Sequence, residues 1–217
     1  MTTAIDNSAT SLRWRLREAT RLHHAKVEQY VTLHETGVSR SQYVMLLKAL
    51  WGFYHPLEAA LSQLDWPRDV AFATRCKSSW LFEDLIALGH ARPEIQRLPQ
   101  CSRMPTFNSA VSGLGVLYVL EGATLGGQVI ARRVGPALGI NDSEGLRFFS
   151  SYGAAVGNMW RSYVAVLEEA GRCPNASAEI ECTAIDTFVC FQSWFETVRQ
   201  LERSSRHERG SNTESVA

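Results

Sequence analysis

The sequence predicts an all-α protein. Apolar residues recur at three- and four-residue intervals along nearly the whole chain, as they do on one face of an α-helix. Segments of alternating apolar and polar residues between hairpin turns are hard to find, and there is no internal repeat. Both ends of the chain are polar, which is typical of disorder. We therefore expect one helical domain over residues 11–202, with disordered ends at 1–10 and 203–217.

Composition and charge exclude several classes of function. The 217 residues are 45% hydrophobic and can bury one core, and 22 basic side chains balance 22 acidic ones, so no overall field favours nucleic acid or an anionic membrane. The first ten residues lack the apolar core of a signal peptide, and no run approaches the roughly 20 apolar residues that span a bilayer. Five cysteines without a C-x-x-C pair argue against a disulfide framework or a thiolate zinc site. We expect a cytoplasmic protein without nucleic-acid or membrane partners.

Glycine, proline and capping residues divide the chain into six expected helices. These cover Ser11 to Leu33, a segment after Gly37 that ends before Pro67, Ser79 to Leu88, residues 107–134, Asp142 or Ser143 to Ala170, and Ala176 to Leu201. The stretch around Pro93, Pro99 and Pro105 is expected to be a connection.

The first helix carries two stripes. Its predicted buried face consists of Leu12, Leu16, Ala19, Val27 and Tyr30. Beside that face lie Arg17, Arg21, His24 and Glu28, which form either a solvated charged surface or a site for a flat anionic ligand. In such a site His24 would bind a metal, the arginines would meet carboxylates, and Glu28 would fix the histidine tautomer. Spacing does not choose His24 over His23, which lies nearer the centre of the apolar face.

The fourth helix is unusually rich in glycine, although each interior glycine costs up to about 1 kcal/mol relative to alanine. It contains Gly113, Gly115, Gly122, Gly126 and Gly127. Gly122 and Gly126 are four residues apart and share one face, where a flat ligand or a small gas molecule could approach the backbone. The alternative is close packing between helices through small residues.

Two segments carry a resemblance to a known family. Residues 16–28 read LREATRLHHAKVE and residues 118–129 read YVLEGATLGGQV. They resemble the proximal and distal helices of the haem oxygenases, and the intervals between them also fit. The resemblance implies a single-domain, haem oxygenase-like helical bundle that holds haem between the first helix and a glycine-kinked distal helix. It also implies a bacterial type of the family, similar to the enzymes associated with bacteriophytochromes.

The resemblance assigns roles to individual residues. His24 would be the proximal iron ligand with Glu28 beside it, and Gly122 and Gly126 would be the distal backbone contacts. Arg17, Tyr118 and Arg161 would contact the haem propionates, and Tyr54 would join the distal hydrogen-bond network. Phe188 and Phe195 fall where the last helix of the family packs on the pocket, although aromatic residues at helical spacing are also typical of plain core.

The implied activity is oxidative cleavage of haem to biliverdin, at the α position by default, with release of CO and ferrous iron. Haem would be both substrate and cofactor, with O2 as oxidant. No flavin or nicotinamide signature is present, so electrons would come from an external ferredoxin or reductase, for which Arg132 and Arg133 are candidate contacts. The product could supply a bacteriophytochrome.

One residue departs from the animal members of the family. Ala123 stands where they have an aspartate that organises the water of the distal pocket. This departure motivates a second hypothesis, a haem-binding or haem-delivery protein without catalytic activity. A di-iron carboxylate protein is the third, and it is disfavoured because none of the six histidines follows a glutamate by three residues.

Overall fold

A computed structural model describes residues 11–31 and 37–214, with side chains to residue 204. Over these residues the chain forms α-helices and short 3-10 turns and no strand. The α-helices are α1 Leu12–Val31, α2 Arg40–Leu61, α3 Ser78–Ala87, α4 Arg92–Gln96, α5 Ala110–Leu138, α6 Arg147–Ser150, α7 Val156–Ala170 and α8 Pro174–Glu214. The all-α prediction is confirmed, and the expected end of the first helix at Leu33 lies outside the described residues.

Side-chain caps fix where the two central helices begin. Ser39 accepts a hydrogen bond from the backbone N–H of Gln42 at 3.2 Å, and the Gln42 side chain accepts from the Ser39 N–H at 3.3 Å. Ser109 and Ser112 form the same reciprocal pair at the start of α5. These capping boxes satisfy backbone donors that the first helical turn leaves without partners. Helix α5 ends at Gly139, whose φ of 64° suits the left-handed position after a helix.

Helix α5 lies at the centre of the bundle and packs against α6, α7 and α8. Its approach to α8 is close, because a Cβ atom on Gly115 would lie 2.4 Å from the carbonyl oxygen of Ile180. Helix α2 meets α8 through Trp194, whose indole N–H donates to the Ala49 carbonyl at 2.8 Å. The apolar residues of α8 that face its neighbours are buried, including Ile180 and Phe188.

Helix α1 packs against α7 and α8. The Glu168 carboxylate accepts from the N–H groups of Leu12 and Arg13 at 2.9 and 3.0 Å and so caps the helix. The buried residues of α1 are Leu12, Leu16 and Thr20. Ala19, expected on the buried face, is exposed, and Val27 and Tyr30 are only half buried. The expectation fails because the buried residues of α1 follow one another at four-residue intervals, in a row that includes Thr20 and not Ala19.

The expected single helix from residue 142 to 170 is wrong. The segment instead forms a 3-10 turn at Asp142–Glu144, then α6, a second 3-10 turn at Gly153–Ala155, and α7. Three residues with positive φ interrupt it, namely Gly145 at 115°, Ser151 at 52° and Gly153 at 56°. A continuous right-handed helix cannot contain such conformations.

Two further expectations about helices need correction. Residues 92–96 form the short helix α4 inside the stretch expected to be a connection, because Pro93 occupies the first helical turn, where proline is tolerated. Helix α8 continues to Glu214, well past the expected end at Leu201. No proline stands between Leu201 and Glu214, and the arginines and glutamates there favour helix. The predicted tail at 203–217 is therefore helical as far as residue 214.

Among the described residues, α5 alone is long and apolar enough to cross a membrane by length and composition. Half of its most apolar window is buried inside the protein. That burial is typical of a core helix, and the packing against α6, α7 and α8 accounts for its apolar composition.

Asp84 in α3 accepts hydrogen bonds from the first backbone N–H groups of α6. Its side chain is 1% exposed, and its two oxygens accept from the N–H groups of Arg147 and Phe148, both at 2.8 Å. Burial raises the pKa of Asp84 to about 7, against the opposing effect of the two backbone hydrogen bonds.

We expect the contribution of Asp84 to the free energy of unfolding to fall as the pH rises from about 4 to about 7. In that window the unfolded chain has released the proton that the folded chain retains, so the slope reaches up to about 1.4 kcal/mol per pH unit. Urea unfolding at several pH values measures it. Asp84→Asn should remove this part of the slope, whereas Asp69→Asn, at an exposed site, should not. An unchanged slope in Asp84→Asn would contradict the assignment.

Candidate functional site

The two adjacent histidines of α1 have different surroundings. The amide nitrogen of Gln192 in α8 lies 3.3 Å from Nδ1 of His23 and donates to the His23 carbonyl at 3.2 Å. The His24 side chain is 58% exposed, and its ring lies edge-on to Phe188 with 6.1 Å between ring centroids. His23 therefore has a structural partner in α8, and His24 presents its ring to open space.

Glu28 lies one turn after His24. Its Oε1 atom is 3.4 Å from Nδ1 of His24. This places a carboxylate at one ring nitrogen and leaves Nε2 as the nitrogen that can bind a metal. A carboxylate at the second nitrogen is the usual way to orient a ligating imidazole and to fix its tautomer.

The glycines of α5 divide into two groups by what surrounds them. A Cβ atom on Gly113 or Gly115 would collide with Trp66 or with the backbone of α8, and one on Gly127 would lie 3.2 Å from the Phe149 carbonyl oxygen. A Cβ atom on Gly122 or Gly126 would meet nothing within 4 Å. Close packing thus explains the first group, and the second group borders open space.

The open side of α5 is apolar. Leu125 is 41% exposed and Val129 is 50% exposed, and both lie at helical spacing from Gly122 and Gly126. Exposed large apolar side chains beside two glycines form a surface that an apolar partner would cover. The helix is continuous from Ala110 to Leu138 through these glycines.

Tyr118 connects α5 with α1. It shares a hydrogen bond with Thr20, and burial raises its pKa while that hydrogen bond and the positive charges of Arg13 and Arg17 lower it. Thr20 is one turn before His24, and Tyr118 is one turn before Gly122. His24 and Gly122 therefore lie one turn beyond this contact on their two helices, and Gly126 lies two turns beyond it.

The three residues expected at the haem propionates are only partly brought together. Arg17 is exposed and close enough to Tyr118 for its charge to act on the phenol. Arg161 follows Trp160, whose ring lies 6.1 Å from that of Tyr118, and the Arg161 guanidinium contacts Asn158. The structure thus brings Arg17 close to Tyr118, whereas Arg161 is linked to that tyrosine only through its neighbour Trp160.

Tyr54 is a core residue of α2. It is 2% exposed and meets Phe148 edge-on with 5.2 Å between ring centroids. Burial, followed by the negative charges of Glu58 and Glu121, raises the pKa of Tyr54 well above its usual value, so its hydroxyl keeps its proton. Its place in a distal hydrogen-bond network stays a prediction. Phe195 likewise stacks on Phe191 within the core, with 4.5 Å between centroids.

Sequence reasoning missed a buried ionic cluster directly behind Gly122. Glu121 has no exposed surface, and its carboxylate accepts from Arg75 at 2.7 Å, from Lys77 at 2.6 Å and from the Tyr152 hydroxyl at 2.8 Å. An acidic residue inside the apolar run of α5 was the available signal, since an unpaired buried carboxylate is very costly. Its partners are more than thirty residues away or on other elements, so no local pattern identifies them.

These residues fit a haem. His24 offers an accessible ring nitrogen with a carboxylate at the other, and the open side of α5 is apolar, with free space at Gly122 and Gly126. Arg17 and Arg161 supply positive charge for carboxylates. A flat, apolar, anionic metal complex requires this combination of groups.

The chain matches the family model described as Heme oxygenase over residues 10–197. The chain belongs to the haem oxygenase family. Heme oxygenase PigA of Pseudomonas aeruginosa is 28% identical over 159 residues, which cover 71% of this chain and 76% of that protein. Membership of the haem oxygenase family makes this chain an enzyme that degrades haem, with haem as its substrate.

Solved haem oxygenases share the fold. The NO- and CO-bound enzyme from Neisseria meningitidis aligns with a TM-score of 0.69 and 19% identity over 87% of this chain and 92% of that one. The enzyme from Leptospira interrogans aligns with a TM-score of 0.64 and 19% identity over 85% and 98% of the two chains. The helical bundle expected from the resemblance is confirmed.

The two groups of glycines should respond oppositely to alanine. Gly122→Ala and Gly126→Ala should each raise the free energy of unfolding of the haem-free protein by roughly 0.5–1 kcal/mol, because alanine favours helix and space is available. Gly115→Ala should lower it by roughly 1–3 kcal/mol, because the new methyl group meets the backbone of α8. Urea unfolding measures all three. A destabilised Gly126→Ala would show that its face is packed.

Proposed function

We propose that the chain cleaves haem oxidatively to biliverdin IX-alpha, with CO and ferrous iron as the other products. The observation that supports this most directly is the pairing of an accessible His24 with the open glycine face of α5 on neighbouring helices. The matched family supports the reaction type, and these two surfaces support a haem ring between α1 and α5.

In this proposal His24 binds the iron through Nε2 and Glu28 orients its imidazole. Arg17, Tyr118 and Arg161 contact the propionates and so set the rotation of the ring, which decides which ring carbon is cleaved. Bound haem supplies the iron that activates O2 and the ring carbon that is oxidised. Gly122 and Gly126 leave room for O2 beside the backbone of α5, because a side chain there would occupy that space.

Tyr54 would act in the distal pocket as a neutral hydrogen-bond donor. Its raised pKa keeps the hydroxyl protonated, so it can donate a hydrogen bond to an ordered water. Ala123 is exposed and has no carboxyl group, so it cannot organise such water as an aspartate would. Ordered water and backbone groups would therefore take over that task.

The electrons would come from an external ferredoxin or reductase in a bacterial cytoplasm. Arg132 and Arg133 are both exposed near the end of α5 and are candidate contacts for such an acidic partner. We further propose that the biliverdin supplies a bacteriophytochrome and that the protein contains no tightly bound flavin or nicotinamide.

The second candidate, a haem-binding or haem-delivery protein without catalytic activity, would use the same His24 and arginines but is disfavoured by the family match. The two candidates share the site and differ in the fate of the ring once reductant is present.

A hemin titration followed by reduction tests the proposal. Purified protein is mixed with hemin, the Soret band is recorded, and ascorbate or reduced ferredoxin is added with catalase present. We expect a histidine-type Soret band that gives way to bilin absorption in the wild type and that is lost or altered in His24→Ala. His23→Ala is the matched control and should retain the wild-type band, because His23 is engaged with Gln192.

The outcomes separate the candidates. A Soret complex that persists under reductant would identify a haem carrier, and the absence of any complex would overturn the proposed site. Loss of the band in His23→Ala but not in His24→Ala would reverse the assignment of the ligand.

Two arginines of α1 provide a test of the propionate contacts. Arg17 acts on Tyr118, whereas Arg21 is exposed and faces Glu18 at 3.8 Å. Arg17→Ala should weaken hemin binding by roughly tenfold, because a charge-assisted hydrogen bond is lost, and should alter the ratio of biliverdin isomers. Arg21→Ala should change neither. Hemin titration and chromatography of the product measure both effects, and equal effects of the two substitutions would contradict the assignment of Arg17.

A further inference from the structure

The buried cluster behind Gly122 consists of Arg75, Lys77, Glu121 and Tyr152, and we refer to it as the Glu121 cluster. Glu121 is 0% exposed, Arg75 2% and Lys77 1%. The Lys77 ammonium donates to Glu121 at 2.6 Å and to the Arg75 carbonyl at 2.7 Å. Each charged group thus has partners at hydrogen-bond distance, as buried charges require.

A second carboxylate completes the balance of charge. Glu58 in α2 is 4% exposed and accepts from the backbone N–H groups of Lys77 and Ser78 at 2.7 and 2.9 Å. Two cations and two carboxylates therefore lie together beneath α5. Removing one of them would leave an uncompensated charge in the interior.

The cluster joins α5 to α7. The Arg75 guanidinium donates to Glu121, to the Met159 carbonyl at 3.1 Å and to the Ser162 hydroxyl at 2.9 Å. Arg161 lies between Met159 and Ser162 in the sequence. The same arginine thus holds the residue before Gly122 and the helical turn that carries a proposed propionate contact.

The open face of α5 explains why such an anchor is needed. Gly122 has no described atom near its Cβ position, and Gly126 also faces open space. Nothing among the described residues supports the helix from that side, and glycine favours helix weakly. The position of this turn must therefore be set from the opposite side, where the cluster lies.

Glu121 is poorly suited to replace the missing distal aspartate as a proton donor. Its two oxygens already accept from Arg75, Lys77 and Tyr152, and it has no exposed surface. Glu121 therefore contributes by holding α5 in position and not by donating a proton.

We propose that Glu121 is a positioning residue, which fixes the backbone of Gly122 to Gly126 relative to His24 through its bonds to Arg75, Lys77 and Tyr152. The consequence for haem rests on the proposed function, whereas the consequence for the helix does not. The experiment therefore reads both the haem-free and the hemin-bound protein.

Glu121→Gln keeps the shape of the side chain and removes its charge. In the haem-free protein we expect amide hydrogen exchange in residues 122–127 to become roughly tenfold faster or more, because this turn opens locally. In the hemin complex we expect a shifted Soret maximum and a changed ratio of high-spin to low-spin haem. Unchanged exchange together with an unchanged spectrum would overturn the proposal.

Two controls separate positioning from general stability. Ile95→Ala removes a buried side chain from α4, and should lower stability without selective exchange at 122–127. Glu121→Gln combined with Lys77→Met restores the balance of charge but not the bonds. We expect this double variant to recover its unfolding midpoint but to keep the fast exchange and altered spectrum. Recovery of all three would show that the cluster only balances charge, and would overturn the proposal.

Tyr152→Phe is the milder variant if Glu121→Gln does not fold. It removes one hydrogen bond of 2.8 Å from Glu121 and should accelerate exchange at 122–127 by a smaller factor. The absence of any acceleration would overturn the proposal. If wild-type protein binds no hemin, the proposed function fails, and the exchange measurements still decide the role of Glu121.

Discussion

The ion pairs of Glu121 with Arg75 and Lys77 hold the central helix of this bundle from beneath. They join residues 44 and 46 positions apart and lie in an interior with almost no solvent. Charges buried in this way tolerate little displacement, because each lost contact leaves a group without water or a partner. Helix α5 can therefore leave the side with Gly122 and Gly126 uncovered.

The glycines of α5 serve two physical purposes within one helix. Gly115 permits backbone contact with α8 at a distance that no side chain would allow, whereas Gly122 and Gly126 border space. Helix packing accounts for Gly115, whereas ligand access at Gly122 and Gly126 stays a prediction that the open space beside them supports. Only the neighbours of each glycine distinguish them, and those neighbours come from elements that are distant in the sequence.

Periodicity predicted the all-α class and the existence of the second and last helices, because burial on one side of a helix leaves a regular apolar pattern in the sequence. It failed between residues 142 and 170, where Ser151 takes a positive φ that no side-chain pattern announces. The resemblance to the haem oxygenases identified candidate residues in α1 and α5. It did not identify Arg75, Lys77 or Tyr152, because their roles arise only when three separate segments meet around Glu121.

The choice between two adjacent histidines shows how tertiary contact completes what spacing leaves open. On α1 alone His23 is nearer the apolar face, which made it as good a candidate as His24. Helix α8 places Gln192 against His23 and Phe188 beside His24, so one ring is engaged and the other is presented outward. Exposed Leu125 and Val129 beside the open glycines of α5 form an apolar surface that is unfavourable for the protein alone. A ligand that covers this surface would stabilise the folded state by mass action. Binding would thus offset the free-energy cost of exposing the surface.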